Sequence, residues 1–505
     1  MHIRPLMLCQ VMIVVMMGLA TACALQEVSS QKPSPEAVQR SKPSEKKGPE
    51  FYGPALALSG DREVYLVWGS TDFSKNFDTL FSRSRTDGRT WLQAASLKPD
   101  TSRHNAARYI RADEKGNVSV LWASGLRTSK REVIFTRSDD QGSSWAAPIT
   151  LSASNDLHAP YLIQSPNGVL YAIIPDGPEQ NWNLTIARSS DGGKSWEDLP
   201  RLINAAGPRT MFGIRESKAA ADDQGRLHVV WEEKDRPAKE VIYYNRFTPA
   251  AAGGGGTWLS EAIPLSARAP DSSGAYRPNI AIDRDGHILV VWVEGWNPQQ
   301  VDYREGRLPQ AVYFNRSLDS GTSWLPEPIR LSRSGLAAIK TVATWADVVS
   351  NGKGQVYVAW KQEDAYPPIP RILFAGSPDF GSTWTSEPLV LSEGSRGTMV
   401  AEPLLLRSGG DDHVYLLWQE VGGPTWKLLF TRSSDQGKSW PATPFRLAAL
   451  PQANRGAHGL SFETRGPHLY VAWEGGPVVP GEIYMNRSVD FGERWFPEEV
   501  QVSQR

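Results

Sequence analysis

The chain has 505 residues with 54 basic against 55 acidic side chains, and no basic stripe or run that would suit a nucleic-acid partner. Its 44 glycines and 37 prolines punctuate many short segments, and no sustained helical period runs through the repeated part of the chain. Zinc-ligand spacing, a phosphate-binding glycine loop and a nucleophile elbow are all missing, so neither a metal nor a cofactor is expected.

At the N-terminus, Arg4 precedes an apolar stretch from Leu6 to Ala20, and Ala20-Thr21-Ala22-Cys23 sets small residues ahead of a cysteine. The stretch is too short for a membrane span and ends in a cleavage pattern, so residues 1–22 read as an export signal. The pattern also resembles the lipobox of bacterial lipoproteins, in which the cysteine becomes the lipidated first residue. Ala20 stands where Leu is usual, with Leu19 adjacent. The alternative is ordinary cleavage with Cys23 incidental. Cys9 lies inside the signal, which leaves the mature chain one cysteine and no internal disulfide. Residues 23–50 read as the lipidated Cys and a tether, because a polar Pro- and Ser-rich stretch buries too little apolar surface to order itself. The resemblance implies a cell-envelope location, and Ala24 after the cysteine favours the outer membrane of a Gram-negative cell.

From Phe51 onward the chain repeats. Eight times an alternating apolar run ends in Trp or its substitute, as in Val64-Tyr-Leu-Val-Trp68, Val118-Ser-Val-Leu-Trp122 and Leu469-Tyr-Val-Ala-Trp473, with Ile174 in the third unit. Period-two patterning with β-branched and aromatic residues predicts strands. A short apolar segment precedes each run, another follows it into a tight turn, and a fourth follows the turn. Each unit is thus a four-stranded meander, and residues 51–505 are expected to form one all-β domain, a β-propeller of eight antiparallel four-stranded blades.

The tight turn is the clearest signal. Five copies are nearly identical: Ser138 to Trp145, Ser189 to Trp196, Ser317 to Trp324, Ser377 to Trp384 and Ser433 to Trp440, with Asp140, Asp191, Asp319, Asp379 and Asp435 third in each. A sixth, Ser488 to Trp495, keeps Asp490 and Gly492. The first unit has Thr86 in the Asp slot, and the fourth dissolves into a glycine run ending Gly256-Thr257-Trp258. Such an Asp accepts backbone N–H groups further along the turn, and the Gly two residues on supplies positive φ. These Asp residues are therefore read as structural, and the Trp as an apolar wedge opening the fourth strand.

This turn resembles the Asp-box, or bacterial neuraminidase repeat, of sialidase-like β-propellers, and the resemblance spans about residues 51–505. Eight units stand here where those enzymes have six blades. The family's reaction uses three Arg on the substrate carboxylate, a Tyr nucleophile helped by Glu, and an Asp acid/base. Its first Arg belongs to a Phe-Arg-Ile-Pro-like opening strand, where this chain reads Phe51-Tyr52-Gly53-Pro54. Arg108, Arg215 and Arg277 are the substitutes available, although Arg277 has opposite strand parity to Arg215.

In a four-stranded meander the Asp turns and the turns joining strands one and two share a face, and the longer loops meet on the other. Of 19 Trp, Trp182, Trp296, Trp345 and Trp426 are predicted in those loops. The start of each first strand places Tyr52, His158, Arg215 and Tyr276 in equivalent positions, beside Glu216, Arg277, Trp345, Glu402 and His458. Glu232, Glu233, Glu294, Glu363, Asp364, Glu420 and Glu474 follow the second strands. This is a polar mouth. Arg215, Glu216, Tyr276 and Arg277 are the catalytic candidates; Tyr52, His158, Trp182, Trp296, Trp345, Glu402, Trp426 and His458 are the ligand-binding ones. The expectation is an exported glycan-recognising propeller, catalytic only as a divergent sialidase-type hydrolase, with a non-catalytic envelope scaffold as the alternative. Replacing Cys23 with Ala should move the protein out of the membrane fraction or leave its signal uncleaved; unchanged fractionation would exclude the lipid anchor.

Overall fold

The alternating runs that end in Trp form the second strand of every sheet, and seven of their tryptophans, Trp68, Trp122, Trp231, Trp292, Trp360, Trp418 and Trp473, are wholly buried. Ile174 fills the same place in the third unit, also at 0% exposure. The computed structural model describes residues 50–503, except 61, 72–76, 98–104, 126–130, 178–182, 201–213, 237–238, 251–254, 267–273, 296–309, 333–340, 365–368, 396, 411, 423–424, 452–458 and 476–480. Eight antiparallel sheets follow in chain order: blade 1 (50–96), blade 2 (105–154), blade 3 (161–198), blade 4 (214–264), blade 5 (275–330), blade 6 (341–393), blade 7 (399–451) and blade 8 (461–501). Each is a meander of consecutive strands, and first strands of successive blades lie against one another, so they form the inner ring. Blade 4 has an extra short strand, Ile263–Pro264, paired with its third strand. The glycine run there carries Gly256–Trp258 alongside that third strand where other blades turn sharply.

The Asp turns have the geometry their residues demand. The Asp140 carboxylate accepts the Ser144 N–H at 2.8 Å and the Ser144 hydroxyl at 2.6 Å, and the Ser138 hydroxyl accepts the Gly142 N–H at 2.7 Å while donating to Asp140. Ser144, then Ser138, hold the Asp140 carboxyl down at about 2. Burial opposes the charge at Asp191, Asp319, Asp435 and Asp490, yet hydrogen bonds from the same turn positions keep each at about 2. In the first unit Thr86 does the work of the missing Asp, accepting the Thr90 N–H at 2.9 Å. In blades 6, 7 and 8 the residue before the turn glycine donates its N–H to the strand-one-to-two turn, Phe380 to Gly354, Gln436 to Asp412 and Phe491 to Pro467, at 2.6–2.8 Å, which puts both turns on one face.

Between blades, one aromatic residue of six of the eight third strands enters the next blade's Asp turn. Phe81, Phe135, Tyr244, Phe314, Phe374 and Phe430 meet Trp145, Trp196, Trp324, Trp384, Trp440 and Trp495 edge-on, with ring centroids 4.7–4.9 Å apart. The other side of each ring lies against the turn glycine: a Cβ on Gly381 would sit 2.5 Å from Phe314, and one on Gly437 2.6 Å from Phe374. Sequence reasoning assigned the turn tryptophans a place in the core at the start of the fourth strand. Seven lie ahead of it, while Trp258 ends the fourth strand of its blade, and most are half-buried; six of them grip a neighbouring blade's ring.

The ring closes without strand exchange, since blades 1 and 8 are each built from consecutive strands. Phe51 donates its N–H to Gly481 at 3.1 Å, Leu56 to the Ser461 hydroxyl at 3.0 Å, and Phe51, Leu56 and Trp68 share a core with Tyr470, Ile483 and Met485. Asp87 adds a buried latch, accepting Tyr470 and Arg487 across the seam.

Replacing Phe314 with Ala should destabilise the fold by about 3–5 kcal/mol, the range for a buried aromatic, as read by urea denaturation. A cost under about 1 kcal/mol would mean the clamp between blades is dispensable. The Asp turns set the acid response: their folded pKa values near 2 lie below the unfolded carboxylate range near 4, so the unfolded chain binds more protons between those limits. Their stabilisation is present above about pH 4 and lost as pH falls toward 2, and the urea midpoint should drop steeply across that interval.

Candidate functional site

Among the described residues, six of the eight non-glycine residues with positive φ occupy one place, the position before the turn glycine: Asp87, Gln141, Ser320, Phe380, Gln436 and Phe491. The other two are Arg277 (φ 55°) and Trp345 (φ 54°), on the first strands of blades 5 and 6. Each sits in a β-bulge, where pairing slips between Tyr276 and Asn279 and between Thr344 and Asp347. The equivalent bulge positions of blades 1 and 8 hold Gly53 and Gly459, also left-handed at 60° and 61°. The backbone conformation is one glycine adopts freely and other residues adopt at a cost of about 1–2 kcal/mol. Pro278 after Arg277 restricts that residue further.

These bulges line a cleft of about 210 Å³ on the inner ring, walled by Glu216, Lys218, Arg277, Asn279, Trp345, Asp347 and Pro403 with their neighbours. Pairing also slips between Ile214 and Glu216 on the first strand of blade 4. Trp345 is flanked by cations, with the Lys361 ammonium 4.4 Å and the Arg277 guanidinium 5.7 Å from its ring centroid. Lys361 is itself held by Glu363 at 2.5 Å and donates to the Val400 carbonyl at 3.1 Å.

Asp347 is the best-connected carboxyl of the cleft. One oxygen accepts the Asn279 amide at 2.8 Å and the Val348 N–H at 2.9 Å; the other accepts the Leu406 N–H at 2.9 Å, with Arg407 at 3.9 Å. One side chain thus joins the first strands of blades 5, 6 and 7. Burial pushes its carboxyl above the ordinary range, against Arg407 and the two backbone donors.

The structure brings Glu216, Arg277 and Trp345 together and places Tyr276, Tyr52, His158 and Trp426 outside the cleft lining. Tyr276 is buried, 5% exposed, and donates its hydroxyl to Glu240 at 2.9 Å. Tyr52 is half-buried on the first strand of blade 1, and His158 of blade 3 has its Nε2 3.1 Å from the Gly177 carbonyl. Trp345 and Trp426 lie on strands, not in loops as expected, and Trp426 packs into the core between blades 7 and 8. Trp182, Trp296 and His458 lie outside the described residues, as do the side chains of Arg108, Arg215 and Glu402.

The carboxylates expected just after the second strands lie within them, and several are committed. Glu233, Glu294 and Glu420 each accept the indole N–H of the Trp two residues earlier, at 2.9, 3.4 and 2.9 Å. Sequence reasoning missed Lys218, Asn279 and Asp347. Each follows a recognised residue by two, so the strand period already put them on the same face as Glu216, Arg277 and Trp345.

One cluster elsewhere has metal-ligand chemistry. Ligand atoms of Asp283, Asp285 and His287 lie within 4.8 Å of one another. Asp283 spends them on its turn, accepting the N–H groups of Asp285 and His287 at 3.0 Å and meeting His287 Nδ1 at 2.9 Å. Asp113 and Asp222 accept N–H groups at the same offsets in their own blades, so the cluster is the local form of a shared turn.

No protein-family model matches the chain, and no curated protein matches it. Among solved structures, it is similar to an ulvan lyase of polysaccharide lyase family PL25, at 14% identity over 76% of this chain and 92% of that one, with a TM-score of 0.46. It is similar to the polysaccharide lyase Uly1 at 10% identity over 76% and 90%, TM-score 0.47. It is also similar to the α-L-arabinofuranosidase Arb93A of Fusarium graminearum at 11% identity over 67% and 94%, TM-score 0.39. With identities and scores this low, the functional reading rests on the cleft itself.

Proposed function

We propose that the chain is an exported, sialidase-like Asp-box propeller, anchored to the cell envelope through Cys23, that recognises a polar glycan in the cleft of blades 4 to 7. One observation carries the reading. At a bulge position where two other blades use glycine, this chain holds Arg277 and Trp345 in the left-handed conformation, and both face the cleft. Strain of this kind persists where the side chain serves a purpose that packing alone does not require.

The groups suit a sugar. Glu216, Asn279 and Asp347 offer acceptors and a donor for hydroxyls, and Arg277 and Lys218 supply positive charge. Sialidase turnover is not part of the proposal: Tyr52 stands where the family has its first clamp Arg. The function is recognition, with catalysis left to whatever acid–base pair a bound ligand reveals.

Replacing Arg277 with Gly separates this reading from a structural one. Glycine relieves the left-handed backbone, so thermal stability should hold or rise by about 1 kcal/mol. Glycan affinity, read by titration against an oligosaccharide identified on a glycan array, should fall about tenfold or more. Loss of stability with affinity intact would refute the proposal.

A further inference from the structure

The inner ring repeats a second pattern, and it fails at one residue. In every blade, the residue paired with the one just before the second-strand Trp, or Ile174 in its place, is equivalent: Ala55, Tyr109, Tyr161, Lys218, Asn279, Asp347, Leu405 and Ser461. Where that residue is polar or aromatic it reaches the first strand of the next blade. Tyr109 meets the Tyr161 ring with centroids 6.3 Å apart, and the Tyr161 hydroxyl lies 3.2 Å from Ser217 Oγ. Asn279 donates to Asp347 at 2.8 Å, Asp347 accepts the Leu406 N–H at 2.9 Å, and Ser461 accepts the Leu56 N–H at 3.0 Å.

Lys218 breaks the sequence of latches. It lines the cleft, it is exposed, and it makes no ion pair among the described residues. The Lys218 charge lowers the Asp347 carboxyl through space, but the two form no ion pair: the Asp347 oxygens are held by Asn279, Val348 and Leu406, with Arg407 beside them. A cation without an ion pair among the described residues, on a wall where its polar and aromatic equivalents reach the next blade, is available to a ligand.

We infer that Lys218 is the specificity-determining residue of the cleft and that the ligand it selects is an acidic sugar chain, bearing a carboxylate or a sulfate ester. The inference rests on the glycan reading of this same cleft. The ammonium is a compact charge on a flexible stem, with three donors, so it takes one oxyanion without demanding a two-pronged geometry. Arg277, 5.7 Å from the Trp345 centroid, fixes the other positive side of the cleft. The uncharged hydroxyls of the sugar are left to Asn279, Glu216 and Asp347.

The test compares the full chain with its Lys218→Gln and Lys218→Arg variants. Each is titrated at low salt with three oligosaccharides of equal length: a polyuronate, a sulfated galactan and the unsulfated galactan. The wild type should bind at least one acidic chain about tenfold or more tighter than the neutral one, the size expected of one charge-assisted hydrogen bond. Lys218→Gln should erase that preference with the thermal midpoint unchanged, and Lys218→Arg should restore it. Preference should also shrink as salt rises, because an exposed charge is screened. Which acidic chain binds distinguishes carboxylate from sulfate as the anion recognised. Equal binding of acidic and neutral chains by the wild type, or a preference intact in Lys218→Gln, overturns the inference and leaves the glycan reading standing. No binding of any of the three, nor of any array glycan, overturns both.

Discussion

At six of the eight junctions a blade holds its successor through an aromatic ring of the third strand, gripped between the glycine and the tryptophan of the next Asp turn. Phe314 between Gly381 and Trp384 is representative. The contact explains the turn residue by residue: the glycine must be bare because a ring lies where a Cβ would be, and the carboxylate must be ionised because it ties the turn into a shape that presents that glycine. An arginine two residues after the aromatic adds a polar clasp, as Arg316 does by donating to the Phe380 carbonyl at 2.6 Å. Edge-on aromatic pairs contribute about 0.5–1.5 kcal/mol beyond area burial, and here the same pair recurs around the ring.

The two places where this contact is missing show how much depends on it. Blade 4 has no Asp turn, and Ile186 stands where other blades present an aromatic; there the Trp258 indole donates to the Pro200 carbonyl at 2.7 Å and Glu197 accepts the Gly255 N–H at 2.8 Å. At the seam, Met485 lies against Gly88 in place of a ring, and Asp87, Tyr470 and Arg487 form a buried polar latch. In both cases hydrogen bonds stand in for apolar grip. Closure through side chains rather than a shared sheet follows, since a ring of such contacts leaves no edge that needs a borrowed strand.

The repeat was legible because it is local. Strand alternation, the seven buried tryptophans and the Asp turn each depend on a few consecutive residues, and they sufficed for eight four-stranded blades. The roles of the two tryptophan sets were less legible: a Trp after a turn looks like a core residue until the neighbouring blade's ring is known to lie on it. The cleft was legible in part. Glu216, Arg277 and Trp345 were recognisable from their shared offset, but their faces depend on bulges, and a bulge is a property of two strands, not of one. Glu233, Glu294 and Glu420 went the other way, resembling site carboxylates in the sequence while serving as acceptors for a buried indole two residues away.

Stability and the proposed recognition are thus drawn from different strands. Third strands and Asp turns carry the contacts between blades on one face, which releases the first strands from part of that duty and allows bulges there. Those bulges turn Arg277 and Trp345 into the cleft without loosening the ring, because Asp347 spans the gap they open, accepting from Asn279 on one side and Leu406 on the other. Recognition of a hydroxyl-rich ligand requires polar groups held in place before it arrives, since ordering them afterwards would subtract from affinity. A carboxylate fixed by three donors, an aromatic fixed between cations and a backbone fixed by bulges meet that requirement. Lys218, exposed and without an ion pair among the described residues, is the long-stemmed charge beside these neighbours, and a flexible cation beside a preorganised wall suits a ligand whose charge is placed less regularly than its hydroxyls.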